Sequence, residues 1–163
     1  MNYIIRQVRP EDLEEVTEVE KVCFPAAEAA ARESFQARIE AFPESFLVAE
    51  AEGGKIIGFI NGAVTDRRTI SDDMFEDAGL HKKDGAYQSI FGLDILPDWQ
   101  RQGIAADLME KLMETAKKRG KKGMILTYKD KLIHYYVKFG YENMGVSESV
   151  HGGAVWYDMI VEF

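Results

Sequence analysis

The chain has 163 residues, 46% of them apolar and 29% charged, which suits one folded domain with a sizeable core and excludes a disordered or fibrous chain. A formal charge of −8 repels nucleic acid and anionic lipid, so neither is an expected partner. No apolar stretch is long enough to cross a membrane and the first residues lack a secretory apolar region; a lone cysteine excludes an intrachain disulfide and lies at no metal-ligand spacing, so the expectation is a cytoplasmic chain without a metal site.

Tyr3 to Arg9 ("YIIRQVR") reads as a short strand. Pro10 sits at a helix-start position, and "EDLEEVTEVEKVCF" places Leu13, Val16, Val19 and Cys23 at helical spacing, an apolar stripe beneath an acidic, solvated face. The alanine-rich stretch between Pro25 and Pro43 predicts a second helix from near Ala27, with Phe35 and Ile39 on one face. Two β-rich runs around Glu52-Gly53-Gly54 predict a tight antiparallel hairpin. A polar surface excursion follows, with a short helix near Asp72 to Asp77. "AYQSIFGLDIL" is a buried strand that Pro97 ends. The helix expected from about Arg101 to Arg119 repeats Ile104, Leu108, Leu112 and Ala116, so this face packs on the sheet. "KGMILTY" is the next strand, "KLIHYYVKFG" a short helix closed by Gly140, and a last pair of strands turns around His151-Gly152-Gly153. This order predicts one mixed α/β unit over residues 3–163, without repeats.

Backbone N–H groups at a helix N-terminus lack intrahelical partners and carry partial positive charge, so an anion fits there. In "DWQRQGIAADLM", Gly103 and Ala105, with Ile104 between them, leave the first turn unshielded for a diphosphate. Gln100, Arg101 and Gln102 add donors and one fixed charge. The alternative is a glycine merely tolerated at a strand-to-helix turn. The three glycines of a dinucleotide fingerprint and the Gly-Lys-Ser/Thr of a P-loop are both missing.

Gln100-x-x-Gly103-x-Ala105, after "LDILPDW" and ahead of an amphipathic helix, resembles the acetyl-CoA pyrophosphate loop of the GNAT acyltransferase superfamily. "HYYVKFGYENMG" resembles that superfamily's later motif, a short helix bearing a tyrosine followed by "FGY". The resemblance spans Tyr3 to Phe163 and implies the GNAT fold: α/β (α+β), with a mixed, largely antiparallel central sheet flanked by helices. "VEKVCFP", "PESFLVAE", the polar insertion and "VHGGAVWYDM" are similar to the arylalkylamine (serotonin) N-acetyltransferase-like branch and its bacterial relatives. That likeness implies an amine acceptor carrying an aromatic or alkyl group, held in part by Phe24 and Pro25.

The resemblance also assigns roles. Leu93 to Leu96 would be the stretch of the central strand whose free N–H groups pair with the pantetheine arm, with the Ile95 N–H facing the oxyanion. Tyr136 matches the tyrosine that protonates the coenzyme A thiolate. The animal arylalkylamine enzymes carry two histidines on the central strand; the matching positions here are Ser89 and Phe91, acceptor-side residues unable to act as a base. Simple strand alternation points Asp94 away from Ser89, Phe91 and Leu93 unless a bulge intervenes. His81, His134 and His151 read as ordinary surface or helix histidines; water carrying the proton to a distant carboxylate is an alternative to any of them, and the sequence leaves the base open. Cys23 reads as a core residue rather than a nucleophile. "KKRGKK" reads as a solvated helix end or, alternatively, as a contact for the coenzyme's 3′-phosphate.

The resulting expectation is an N-acetyltransferase that uses acetyl-CoA, without a metal, to acetylate a small arylalkylamine-like primary amine by direct transfer, as a monomer or homodimer. A non-catalytic acetyl-CoA-binding sensor, an enzyme acting on a protein N-terminus or lysine, and a purely structural domain are the alternatives.

Overall fold

The computed structural model describes residues 2–128, 133–149, 153 and 155–163. In chain order the elements are β1 (Tyr3–Gln7), α1 (Leu13–Cys23), α2 (Arg32–Ala41), β2 (Phe46–Ala51), β3 (Ile56–Asn61), β4 (Val64–Thr65) and α3 (Asp72–Glu76). They continue with β5 (Tyr87–Ile90), β6 (Gly92–Ile95), α4 (Ile104–Lys118), β7 (Gly123–Tyr128), α5 (Ile133–Val137), β8 (Glu142–Val146) and β9 (Tyr157–Glu162). The strands make two sheets, ordered β1-β2-β3-β6 and β4-β5-β7-β9-β8. Among the described residues every pairing is antiparallel except β5 with β7. This is the α+β GNAT fold expected from the motifs.

Strand β3 explains the longest apolar run: all six of its residues are buried because both of its faces are covered. Ile56 and Phe59 meet Val16, Val19, Phe35 and Ile39 of α1 and α2 on one side. Ile57 and Ile60 meet Ile104, Leu108 and Leu112 of α4 on the other. The four-residue repeat of α4 is therefore its buried face; Ile104, Leu108, Leu112 and Ala116 are each no more than 2% exposed. The hairpin closes through Ala51 and Lys55, with Gly53 and Gly54 in the left-handed region.

Three expectations are corrected. The alanine-rich stretch is not helical from Ala27. The N–H groups of Glu28 and Ala29 turn back to Pro25 O, and the Ala30 N–H donates to Glu20 Oε2 at 2.7 Å, so a helical ladder begins only at Arg32. The acidic face of α1 is not wholly solvated: Glu20 is 7% exposed, while Asp12, in the turn before the helix, is 5% exposed and bound to Arg6 at 2.8 Å. The third correction concerns "AYQSIFGLDIL". It is two strands, because the chain changes sheets at Phe91: among the described residues β5 pairs in parallel with β7, whereas β6 pairs with β3 alone. The sheets stay joined at the base through Ser89 N–H to Ala63 O and Phe91 N–H to Asn61 O. Gly62 permits that approach, since a Cβ there would lie 1.9 Å from the Ser89 carbonyl oxygen.

Candidate active site

Beyond Phe91, β6 and β7 diverge and leave an open edge on each. Leu96 N–H donates to Ile57 O across the β3 side, so two-residue alternation turns the N–H groups of Leu93 and Ile95 toward the opening. A cleft of about 570 Å³ fills the gap, walled by Leu93, Asp94 and Ile95, by Tyr128 at the end of β7, and by Tyr135 and Tyr136 of α5. At one end it reaches the start of α4. Gly103 there has φ +84° and Arg101 φ +63°, and a Cβ on Gly103 would meet nothing within 4 Å. Asp107 N–H is bonded to Gly103 O, which leaves the N–H groups of the first turn facing open space. The residues thus fit a diphosphate at α4 and an acyl-pantetheine arm along β6.

A second cavity, of about 180 Å³, lies on the other side of Tyr128 and Phe24, which line both spaces. Its walls are aromatic (Phe75, Phe91 and Trp156) and acidic (Glu20, Glu28 and Glu76), with Arg38 set into them. Arg38 is 4% exposed. It donates to Asn61 Oδ1 at 3.2 Å and Phe75 O at 3.0 Å, and its guanidinium lies 4.9 Å from the Phe91 ring centre. Burial pulls its pKa down to about 10, which still leaves it cationic at neutral pH.

The model of the acetyltransferase (GNAT) family matches residues 13–141. The chain belongs to this family. Its sequence is similar to the probable hydrolase YhcX of Bacillus subtilis, 28% identical over an alignment of 144 residues that covers 83% of this chain and 28% of that protein. The chain thus spans little more than a quarter of that curated relative. In three dimensions it is similar to the loading GNATL domain of CurA from Lyngbya majuscula, with TM-score 0.86 and 17% identity over 99% and 98% of the two chains. It is also similar to the GNAT-like decarboxylase GphF in complex with isobutyryl-CoA, with TM-score 0.84 and 21% identity over 98% of each. Other structures of this fold hold acetyl-CoA or coenzyme A.

Several GNAT motif residues meet at the cleft beside β6, the candidate donor cleft: Leu93, Ile95, Gln100, Arg101, Gly103, Ile104, Ala105 and Tyr136 all line it. Leu96 instead packs between the two cores, and the Gln102 amide turns back to Asp98 O at 3.3 Å. Gln100 bonds Ile95 O at 3.0 Å, so it braces the loop rather than pointing outward. Phe24 and Phe91 face the second cavity; Pro25 is exposed outside it, and Ser89 is fully buried with its hydroxyl on Ala63 O at 2.6 Å. Burial pushes the Tyr136 phenol well above its usual value, so it holds its proton at neutral pH.

The basic run lies at the opposite end of α4 from Gly103. Arg119, Lys121 and Lys122 line a separate cleft with His81, at the far end of α4, about 20 Å along its axis from Gly103. His81 accepts from Val64 N–H at 2.9 Å and stacks on Phe42, a packing role; burial lowers its pKa. The side chain of His134, and all of His151, lie outside the described residues. Among those residues no group of His, Cys, Asp and Glu is placed to hold a metal, and no helix is long and apolar enough to span a membrane.

Within β6 Asp94 shares a face with Gly92 and alternates with Leu93 as expected, but the break at Phe91 brings Asp94 to the side on which Phe91 lies. The Asp94 side chain lies near Arg38, under which Phe91 also sits, and it lines the donor cleft. Glu20, Arg38, Phe75, Tyr128 and Trp156 receive no role from the sequence, although Glu20 lies within "VEKVCFP" and Trp156 within "VHGGAVWYDM". One signal for Glu20 was present: it lies seven residues after Leu13 and four after Val16, a carboxylate on the apolar stripe.

Cys23 donates to Ile95 O at 3.3 Å, and burial raises its thiol to about 12, Asp94 and Glu20 adding to the rise. Its alkylation by iodoacetamide at pH 7.5 is expected to run about 1000-fold slower than that of a free thiol, and slower still with acetyl-CoA present. Reaction at the rate of an unperturbed thiol would refute the buried, protonated state.

Proposed function

We propose that this GNAT protein transfers the acetyl group of acetyl-CoA directly to a small primary amine bearing an aromatic or alkyl group. The observation that carries this reading is the second cavity: aromatic walls with carboxylates on them, separated from the donor cleft by Tyr128 and Phe24. Carboxylates and ring faces together attract an ammonium, and the rings bury its apolar body. The size favours one ring over a peptide, since an apolar cavity of about 150 Å³ accommodates benzene. Leu93 and Ile95 N–H groups would hold and polarise the acyl arm, the first turn of α4 would hold the diphosphate, and Tyr136 would return a proton to the departing thiolate. The arylalkylamine-like branch is the finer part of the proposal and rests on the sequence motifs.

The test is thiol release from acetyl-CoA across tryptamine, phenylethylamine, tyramine, spermidine, amino sugars and a lysine peptide. Fastest release with an aryl amine, with its N-acetyl product identified by mass, is the expected result. Efficient acetylation of the peptide without small-amine turnover would overturn the acceptor class. Arg38 in the cavity wall and the likeness to GphF favour a second reading, removal of a carboxylate from an acyl-CoA. Release of carbon dioxide from a carboxyacyl-CoA, with no acetylation of any amine, would establish that reading instead.

A further inference from the structure

Asp94 and Glu20 meet at the seam between the two spaces. Asp94, on β6, lines the donor cleft and is 1% exposed; Glu20, on α1, lines the acceptor cavity and is 7% exposed. Their oxygens converge on Gly92, where a Cβ would lie 3.3 Å from Asp94 Oδ1 and 3.9 Å from Glu20 Oε1. The Ala30 N–H anchors Glu20 through Oε2 and leaves Oε1 for this seam. Among the described residues neither Asp94 oxygen receives an N–H or a hydroxyl O–H, which leaves the Glu20 carboxyl as the group it can share a proton with. Two buried carboxyls in such a setting must share a proton or be balanced by cations. The cation supplied by the fold is Arg38, whose hydrogen bonds go to Asn61 and Phe75 rather than to either carboxylate.

We infer that Glu20 and Asp94 act as one unit that takes the proton of the acceptor ammonium, an inference that rests on the proposed transfer to an amine. With one proton between them the pair is a monoanion, and Arg38 balances it. An ammonium entering the cavity brings a second positive charge, so the shared proton leaves to solvent and the doubly ionised pair accepts a proton from the nitrogen. The neutral amine then forms the C–N bond as the C–S bond breaks, and the second proton lost by nitrogen ends on the coenzyme thiol. Ammonium and acetyl-CoA thus become the N-acetyl amine, coenzyme A and one proton in solvent, with the pair returned to its monoanion.

The electrostatics agree with this arrangement. Burial, reinforced by the Glu20 carboxylate, holds Asp94 well above the usual carboxylate range, against the pull of Arg38. A proton acceptor working near neutral pH needs such a rise. Among the described residues the other titratable groups coupled to the pair are Cys23 on α1, Tyr128 on β7, Tyr136 on α5 and, through Tyr128, Glu28 before α2. The thiol and both phenols are pushed upward, mainly by burial, so they remain neutral as the pair titrates.

The deciding experiment compares kcat/KM against pH for the wild type, Glu20→Gln and Asp94→Asn, each with phenylethylamine and with a trifluoroethylamine-type acceptor already neutral at pH 7. Either substitution removes the like charge that holds the upper ionisation high. The acidic limb is therefore expected to move down by at least about one pH unit and the rate with phenylethylamine at pH 7 to fall about 100-fold, with the gap largely closed for the neutral amine. An unmoved limb and near-wild-type rates in both variants overturn the pair's role while leaving acetyl transfer standing. A wild type that acetylates no amine overturns the proposed reaction, and the role with it. Carboxyl ¹³C titration of the ligand-free wild type needs no variant to fold: a coupled pair with one step raised supports the unit, and two ordinary independent titrations refute it.

Discussion

With phenylalanine in place of Tyr136, acetyl transfer is expected to slow by roughly 10- to 1000-fold while the affinity for acetyl-CoA barely changes, the pattern left by removal of a general acid. The ring is 3% exposed, with Tyr128, Tyr135 and Tyr141 centred 5.6, 5.3 and 6.1 Å from it. Phenylalanine keeps that packing and deletes only the hydroxyl, so the stability of the variant should stay close to that of the wild type. Steady-state kinetics with calorimetric titration of acetyl-CoA reads the two quantities separately. Unchanged turnover would remove Tyr136 from the mechanism; a matching loss of affinity would make it a binding residue instead.

Valine at Gly103 is expected to weaken coenzyme binding by at least about 100-fold, or about 2.8 kcal/mol. Two effects act together. The site is open, with no atom within 4 Å of a Cβ, so nothing in the protein itself clashes with the new side chain, and its branches project where a diphosphate would approach. The backbone φ of +84° also strains a β-branched residue by about 1–3 kcal/mol. Gly103→Ala separates the two, since alanine carries most of the backbone strain and little of the bulk. Thermal unfolding without ligand checks that α4 remains docked through Ile104 and Leu108. Wild-type affinity in the valine variant would refute the diphosphate cradle and favour a fold that has kept its shape without the coenzyme.

Much of this architecture was legible from local pattern. The Ile104, Leu108, Leu112, Ala116 repeat marked the buried face of α4 because a helix with one apolar stripe has one way to bury it. The Gly53-Gly54 pair marked the hairpin because such turns need positive φ. The helix-start motif marked an unshielded first turn for the same kind of reason, since it follows from the residues at Gly103 and Ala105 themselves. Where reading failed, a distant partner had intervened. Ala30 gives its N–H to Glu20, ten residues back, so the second helix starts late. Strand-forming residues continue on both sides of Phe91 without a proline or a polar turn, and nothing local showed that the two halves would pair with different strands.

The sequence by itself determined most of the elements, the buried face of α4 and the unshielded first turn at Gly103, since these depend on backbone periodicity, glycine conformation and side-chain polarity within a few residues. Only the tertiary structure decided where β6 and β7 part, which opens the donor cleft. It also decided that Glu20 of α1, Arg38 of α2 and Asp94 of β6 share one buried environment. Such a meeting depends on how helices and sheet pack across as many as 74 residues of chain separation, from Glu20 to Asp94. Burial then changes the chemistry of each group in ways that its residue type does not carry.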